Sequence, residues 1–201
     1  RNLQIDLTQN TEGAWQLSGV ATRDSNDPVD LNALYQTFLS FTQLELQGVA
    51  INVHPSNGDS FSFVQGTASV RNQGQNHYLH VNASLEGNPE PLTLSFEVQG
   101  DDLDQASGML HVLVPQADYS RVFAGQDLGA LAILGLEGSG QAWIGVEAGQ
   151  LSAATVEFDV PGLTISGKRE EQARQPESEQ LGLTNLKGMA RLSHNSAESA
   201  W

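Results

Sequence analysis

The chain has 201 residues, enough to bury a sizeable core, and carries a formal net charge of -15 with only nine Lys and Arg residues. Nucleic acid is therefore not an expected partner, because phosphate binding needs a cationic surface. The same charge disfavours electrostatic adsorption onto an anionic membrane surface. There is no cysteine, which excludes disulfide bonds and thiolate metal sites.

The predicted elements are mostly strands. Apolar and polar residues alternate with period two from Leu3 onward, which is typical of strands with one apolar and one polar face. The phase of the alternation shifts at Gly48 and near Gly66. Turn formers such as "NQG", "EGNPEP" and "GDDLDQASG" separate the runs and indicate short connections. We therefore expect a mainly β protein: an antiparallel meander forming a twisted, elongated sheet or groove, with one or two short amphipathic helices.

One stretch has the spacing of an amphipathic helix. In "DPVDLNALYQTFLSF" the apolar residues recur at i, i+3, i+4, i+7 and i+8 from Leu31, which predicts a helix over about residues 31–40 with Asp30 as its N-cap. The spacing in "ADYSRVFA" predicts a shorter second helix. The apolar run from Leu128 to Leu136 fits either a helix or a buried strand, and it is about half as long as a membrane span.

The later chain contains a charged interruption. Residues 167–180, "GKREEQARQPESEQ", have no apolar side chain larger than alanine and predict an exposed, flexible loop. Strands are expected to resume at Leu181.

The first and last phrases of the chain are nearly the same. "LTQNTEGAW" (7–15) and "LSHNSAESAW" (192–201) each suggest the end of a strand, a polar turn, and a tryptophan that begins the next strand. We interpret them as the same joint in successive units of a repeat. Together with the absence of a signal peptide, this predicts that residues 1–201 are one β-rich segment of a larger protein.

No motif for catalysis or metal binding is found. His77 and His80 are three apart, which on a strand places them on opposite faces, and we interpret all five histidines as solvated strand-face or turn residues. The acidic connection at Asp101 lacks the spacing of a calcium loop, and the glycines of residues 135–141 fit no nucleotide-binding motif. We expect no enzyme, catalytic residue, metal or cofactor. A polysaccharide-active enzyme stays an alternative, because its paired carboxylates would meet only in the fold.

The sequence resembles a known family over most of its length. The stretches that carry the resemblance are "WQLSG", "DLNALYQTFLSF", "LELQGVAINVH", "VRNQGQNHYLHVNASLEG", "LTLSFEVQGD" and "GSGQAWIGVEAGQLSAATVEFDVPGLTIS". They are similar to the central periplasmic region of YhdP-type proteins, in the AsmA-like group that includes TamB. The resemblance implies a periplasmic segment of an inner-membrane-anchored protein, with membrane contacts made through regions absent from this chain.

The resemblance also implies a function without catalysis, namely the conduction of phospholipids to the outer membrane along an apolar β-groove. Contact with the acyl chains would be spread over inward strand positions. The candidates are Leu44, Leu46, Ile51, Val53, Phe61, Phe63, Leu79, Val81, Leu85, Leu94, Phe96, Val98, Leu110, Val112 and Val114. The alternative is a structural or interaction module of the cell envelope, in which the apolar strand faces close on each other as a sandwich core.

Overall fold

The computed structural model describes residues 3–18, 31–123, 131–167 and 180–193. The strands are β1 (Leu3–Gln9), β2 (Trp15–Ser18), β3 (Gln43–His54), β4 (Phe61–Gln73), β5 (Asn76–Leu85), β6 (Pro91–Gln99), β7 (Ser107–Asp118), β8 (Leu131–Glu147), β9 (Gln150–Gly167) and β10 (Gln180–Ser193). The helices are α1 (Leu31–Leu39) and α2 (Ser120–Phe123), and a 3-10 turn covers Leu103–Gln105. Within these ranges, no helix is long and apolar enough to cross a membrane.

The ten strands of the described ranges form one sheet in the order β10-β9-β8-β7-β6-β5-β4-β3-β1-β2. The expected mainly β fold is confirmed, and from β3 to β10 every strand pairs antiparallel with the next in sequence. One pair differs from the expected meander. β1 lies parallel to β3, so the sheet is mixed. The connection from β2 to β3 contains α1, and parallel neighbours need such a longer crossover.

The two phase shifts in the sequence correspond to β-bulges. The register of β3 on β4 shifts between Gln47 and Val49, where Gly48 has a φ of 68°. The register of β4 on β5 shifts beyond Val64, where Gln65 has a φ of 56°. Each bulge inserts one residue and so returns the following apolar side chains to the face they would otherwise leave.

The helix α1 is confirmed close to its predicted bounds. Its side chains Tyr35, Phe38 and Leu39 pack on Val98 and Ala106, together with Phe96 and Leu103, in the one buried cluster found among the described residues. Two carbonyl groups at its C-terminal end, of Phe38 and Phe41, accept hydrogen bonds from the Asn72 side chain at 2.8 and 2.6 Å. The predicted N-cap Asp30 lies outside the described residues.

The remaining sequence expectations are met in part. The second helix has only four residues, and the ambiguous run is strand from Leu131 onward, with residues 128–130 outside the described ranges. Most of the predicted loop, residues 168–179, is also outside them, while Gly167 and Gln180 belong to strands.

The first of the two similar phrases, residues 7–15, joins β1 to β2, as expected, with Trp15 paired to Gln9. In the second phrase β10 ends at Ser193, and residues 194–201 are not described.

Candidate functional site

Two rows of mutually paired apolar side chains cross the sheet from β3 to β10. Directly paired residues of neighbouring strands point to the same side, so each row is a continuous apolar stripe. The first row is Leu46, Ala68, Val81, Leu94, Val112, Ala142, Val156 and Ala190. The second row is Leu44, Val70, Leu79, Phe96, Leu110, Ile144, Ala154 and Leu192. With strands about 4.8 Å apart, seven spacings make each stripe about 34 Å long.

All fifteen candidate positions lie on this side of the sheet. Further along the strands, Ile51, Phe63 and Leu85 form one set of partners, and Val53 pairs with Phe61. Val98 and Val114 follow at even spacing from members of the two rows on β6 and β7. We call this surface, defined by the two rows and these residues, the apolar face.

The apolar face is only partly shielded from solvent. Of the fifteen positions, Val53 and Val98 are buried, at 6% and 4% exposure, and the other thirteen are half-buried. Since all described strands belong to one sheet, no second described sheet covers this surface. Toward β10 it opens further, with Val156 and Phe158 both 39% exposed. A sandwich core would bury these positions, so the described residues do not form the closed core of the alternative interpretation.

The helices lie at opposite ends of the strands. α1 covers Phe96 and Val98, where β6 ends, while Tyr119 and α2 lie near Leu136, at the start of β8. Beside α2 the apolar face deepens into a depression of about 310 Å³. Its large apolar lining residues are Phe63, Leu92, Val114, Tyr119, Val122, Phe123, Leu136, Val156, Phe158 and Val160.

Hydrogen bonds fix the short helix at this depression. Tyr119 donates its hydroxyl to the Pro115 carbonyl oxygen at 2.6 Å and its backbone N–H to the Leu136 carbonyl oxygen at 2.7 Å. Burial, and secondarily the charge of Glu90, raises the pKa of the Tyr119 phenol. The hydroxyl and backbone N–H of Ser120 both donate to Asp118, which lowers the pKa of that carboxyl. These polar groups are therefore already paired, and the surface of the depression beside them is almost entirely apolar.

The opposite face of the sheet is polar over most of its width. One row there runs Glu45, Ser69, His80, Ser95, His111, Trp143, Thr155 and Arg191. The guanidinium of Arg71 lies 5.1 Å from the centre of the Tyr78 ring, and the His111 ring stacks on Trp143 at 5.1 Å. The two faces of the sheet therefore differ in chemistry, one being mostly polar and the other apolar.

Two histidines differ from the prediction that all five are solvated, and His194 lies outside the described residues. His111 is half-buried, and its Nε2 is shielded from solvent. His77 is 3% exposed and lies on the apolar face beneath α1, not on a solvated face, because it pairs with Val98. The alternation in "HYLHVNASL" could have predicted this position, because His77 is separated from Leu79 and Val81 by even numbers of residues and therefore shares their face. His80 lies on the opposite face, as predicted, and bonds Ser95 at 2.9 Å.

His54 contacts Ser60 and Asp6, and these three residue types also form the nucleophilic relay of some hydrolases. Its Nδ1 lies 2.9 Å from the Ser60 hydroxyl, and its Nε2 lies 3.9 Å from Asp6 Oδ1. A nucleophilic relay needs a closely held carboxylate and an enclosed site. Here the side chains of His54 and Asp6 are 44% and 35% exposed, and Asp6 already accepts a 2.6 Å bond from Asn52. The geometry is that of a solvated strand end.

The acidic connection between β6 and β7 has a structural role. Asp102 caps the 3-10 turn by accepting from the backbone N–H of Asp104 at 3.1 Å and from the Gln105 side chain at 3.3 Å. Across the described ranges, no three His, Asp or Glu side chains converge as metal ligands would.

No protein-family model matches the chain, and comparisons with curated proteins and with solved structures return no significant match.

Proposed function

We propose that this chain is a lipid-conducting segment of a cell-envelope protein, in which phospholipid acyl chains lie along the apolar face while their headgroups stay in water. The observation that carries the proposal is the continuous apolar surface across eight paired strands, only half-buried along most of its length. Soluble monomers rarely expose so large a contiguous apolar surface unless it binds something.

The energetics suit transport. Moving an acyl chain of roughly sixteen carbons into water costs about 13 kcal/mol, at about 0.8 kcal/mol per methylene group. A continuous apolar surface removes most of that cost at every point along the path. Because a bilayer and such a surface are similarly oily, the lipid gains little by stopping, and conduction requires no catalytic group.

The resemblance to the YhdP-type proteins supports the same proposal. On that basis we propose a periplasmic location, with phospholipid moving between the inner and outer membranes. The competing outcome is a structural or interaction module of the cell envelope that binds no lipid. The two differ in one observable, which is whether phospholipid occupies the apolar face of the purified protein.

The first experiment tests whether phospholipid occupies the apolar face. It compares two variants that place the same charge on opposite faces of the sheet. Val81→Asp puts a carboxylate in the middle of the apolar face, whereas Val64→Asp puts it on the polar face, where Val64 pairs with Ser84. Both valines are half-buried. We expect native mass spectrometry to detect phospholipid on the unmodified chain and on Val64→Asp.

Val81→Asp should stay folded and bind a fluorescent phosphatidylethanolamine about tenfold more weakly, because a desolvated carboxylate against an acyl chain is costly. Val81 is preferable to Phe96 for this test, since Phe96 packs beneath α1 and its loss would also disturb the helix. Absence of lipid from all three proteins, or equal binding by the two variants, would contradict the proposal.

A further inference from the structure

The two ends of the apolar face differ in chemistry. At one end α1 packs over Phe96 and Val98. The connection after β6 at that end, residues 100–106, contains three aspartates and no Lys or Arg. At the other end lies α2, which contains Arg121. The negative phosphate of a phospholipid is therefore repelled at the α1 end and attracted at the α2 end.

Beside α2, the ends of β4, β5 and β7 surround a recess of about 390 Å³. Phe61 and Leu85, both positions of the apolar face, form part of its wall. Three charged side chains also line it, namely Glu86, Asp118 and Arg121. Its volume lies within the range of small-molecule binding sites.

This recess adjoins the apolar depression of about 310 Å³. The ring of Phe61, in the recess, meets the ring of Phe63, in the depression, edge-on at 5.8 Å between centres. Within α2, Arg121 lines the recess, whereas Val122 and Phe123 line the depression. A charged space and an apolar space therefore lie side by side, and together they match the headgroup and the tail of an amphiphile.

Arg121 differs from the other cationic side chains that the structure describes. Arg71, Lys187 and Arg191 all lie on the polar face, and Lys187 forms an ion pair with Asp159. Within the described ranges, the Arg121 guanidinium and the Glu86 carboxylate form no hydrogen bond or ion pair, and both side chains are exposed. Both groups are therefore available to a ligand.

We propose that a phospholipid with a zwitterionic headgroup binds beside α2, with its phosphate on Arg121, its ammonium group near Glu86 and Asp118, and an acyl chain in the depression. Such a site presupposes the proposed lipid-conducting function and adds a headgroup preference to it. It also fixes the orientation of the lipid, whose headgroup lies at the α2 end while its acyl chains extend along the strands toward α1.

The balance of charges in the recess favours a zwitterionic headgroup over an anionic one. A guanidinium offers two parallel donors to a phosphate group, which makes the pair both strong and directional. Two carboxylates stand against this one cation, so a headgroup of net negative charge is repelled, whereas an ammonium group next to the phosphate is attracted. Because Arg121 and Glu86 are exposed, solvent screens these contacts and the expected preference is only several-fold.

Titration with two lipids that differ only in headgroup tests the site. Phosphatidylethanolamine is zwitterionic and phosphatidylglycerol is anionic, and each carries the same fluorescent acyl chain. We expect the unmodified chain to bind phosphatidylethanolamine about fivefold more tightly, a difference typical of a screened ion pair.

Two matched pairs of variants separate the site from the net charge of the chain. Arg121→Gln should weaken the binding of phosphatidylethanolamine about fivefold, whereas Arg191→Gln, which removes the same charge from the polar face, should leave it unchanged. Glu86→Gln should remove most of the preference between the two lipids. Glu97→Gln, on the polar face, should retain it. All four side chains are exposed, so each variant is expected to fold.

Equal affinity of the unmodified chain for the two lipids would overturn the headgroup site, and so would equal effects within either matched pair. The lipid-conducting function would survive these results if Val81→Asp still weakened binding, because that test does not depend on the headgroup. Failure of both lipids to bind the unmodified chain would overturn the function and the site together.

Discussion

At the scale of single residues, close backbone approach decides where the sheet tolerates a side chain. Gly108 of β7 faces Val98 across the β6–β7 pair, and a Cβ added there would lie 2.2 Å from the Glu97 carbonyl oxygen and 2.8 Å from the Val98 Cα. At Gly182 of β10 an added Cβ would meet nothing within 4 Å. Neither glycine has a positive φ, so the difference between them is steric.

We therefore expect Gly108→Ala to lower the free energy of unfolding by about 1–3 kcal/mol, as overpacked sites do. Gly182→Ala should stay within about 0.5 kcal/mol of the unmodified chain. Urea unfolding followed by tryptophan fluorescence measures both. Equal stability of the two variants would mean that β6 and β7 can separate at little cost.

At the scale of elements, Tyr35 is the one buried residue among the described side chains of α1. Tyr35 is 6% exposed and belongs to the buried cluster, and its hydroxyl bonds the Gly100 carbonyl oxygen. Burial, followed by the charges of Asp101 and Asp102, raises the pKa of the Tyr35 phenol above its ordinary value of 10.0. The unfolded chain therefore loses this proton at lower pH than the folded chain does.

The consequence is a loss of stability in alkali. The contribution of Tyr35 to the free energy of unfolding should be fully present below about pH 10 and fall as pH rises further, because the unfolded state then binds fewer protons. Tyr35→Phe should be less stable at neutral pH by about 1 kcal/mol, having lost one hydrogen bond. Its stability should fall less steeply above pH 10 or so, so the two curves converge.

Urea unfolding at neutral and alkaline pH checks this prediction. Tyr119, whose pKa is also raised, stays in both proteins, so the variant should keep part of the alkaline decline. Parallel curves for the two proteins would show that ionisation of Tyr35 is not linked to unfolding.

At the scale of the whole molecule, a strongly negative chain carries one oily face. The net charge of -15 opposes association at neutral pH, and this repulsion disappears near the isoelectric point of about 4.4. We expect the molecules then to associate through their apolar faces, since α1 covers only one end of this face and most of it is partly exposed.

Two lysine variants at neighbouring positions distinguish the effect of added charge from the effect of disrupting the apolar face. Val156→Lys and Thr155→Lys change the net charge equally, but Val156 lies on the apolar face and Thr155 on the polar face. Light scattering during acidification should show less association for Val156→Lys than for Thr155→Lys. If both variants associate to the same extent, attraction between apolar faces is not the cause.

Local sequence patterns determined the kinds of element and the faces they present. Alternation identified the strands and the shifts at Gly48 and Gly66, and helical spacing identified α1, because each depends on residues close together in the chain. The fifteen candidate positions share one face because paired residues point to the same side, and because bulges in β3 and β4 restore the alternation where its phase shifts.

Only the tertiary structure decided which surfaces meet. Local alternation is identical whether two apolar faces close as a sandwich or remain on one open sheet, and it does not reveal that β1 lies parallel to β3. The enclosure of His77 by α1, Asn72 and Asp101 likewise depends on the position of a helix more than thirty residues earlier in the chain. These arrangements join distant segments, and the pairing of distant segments is not encoded in the period of any one of them.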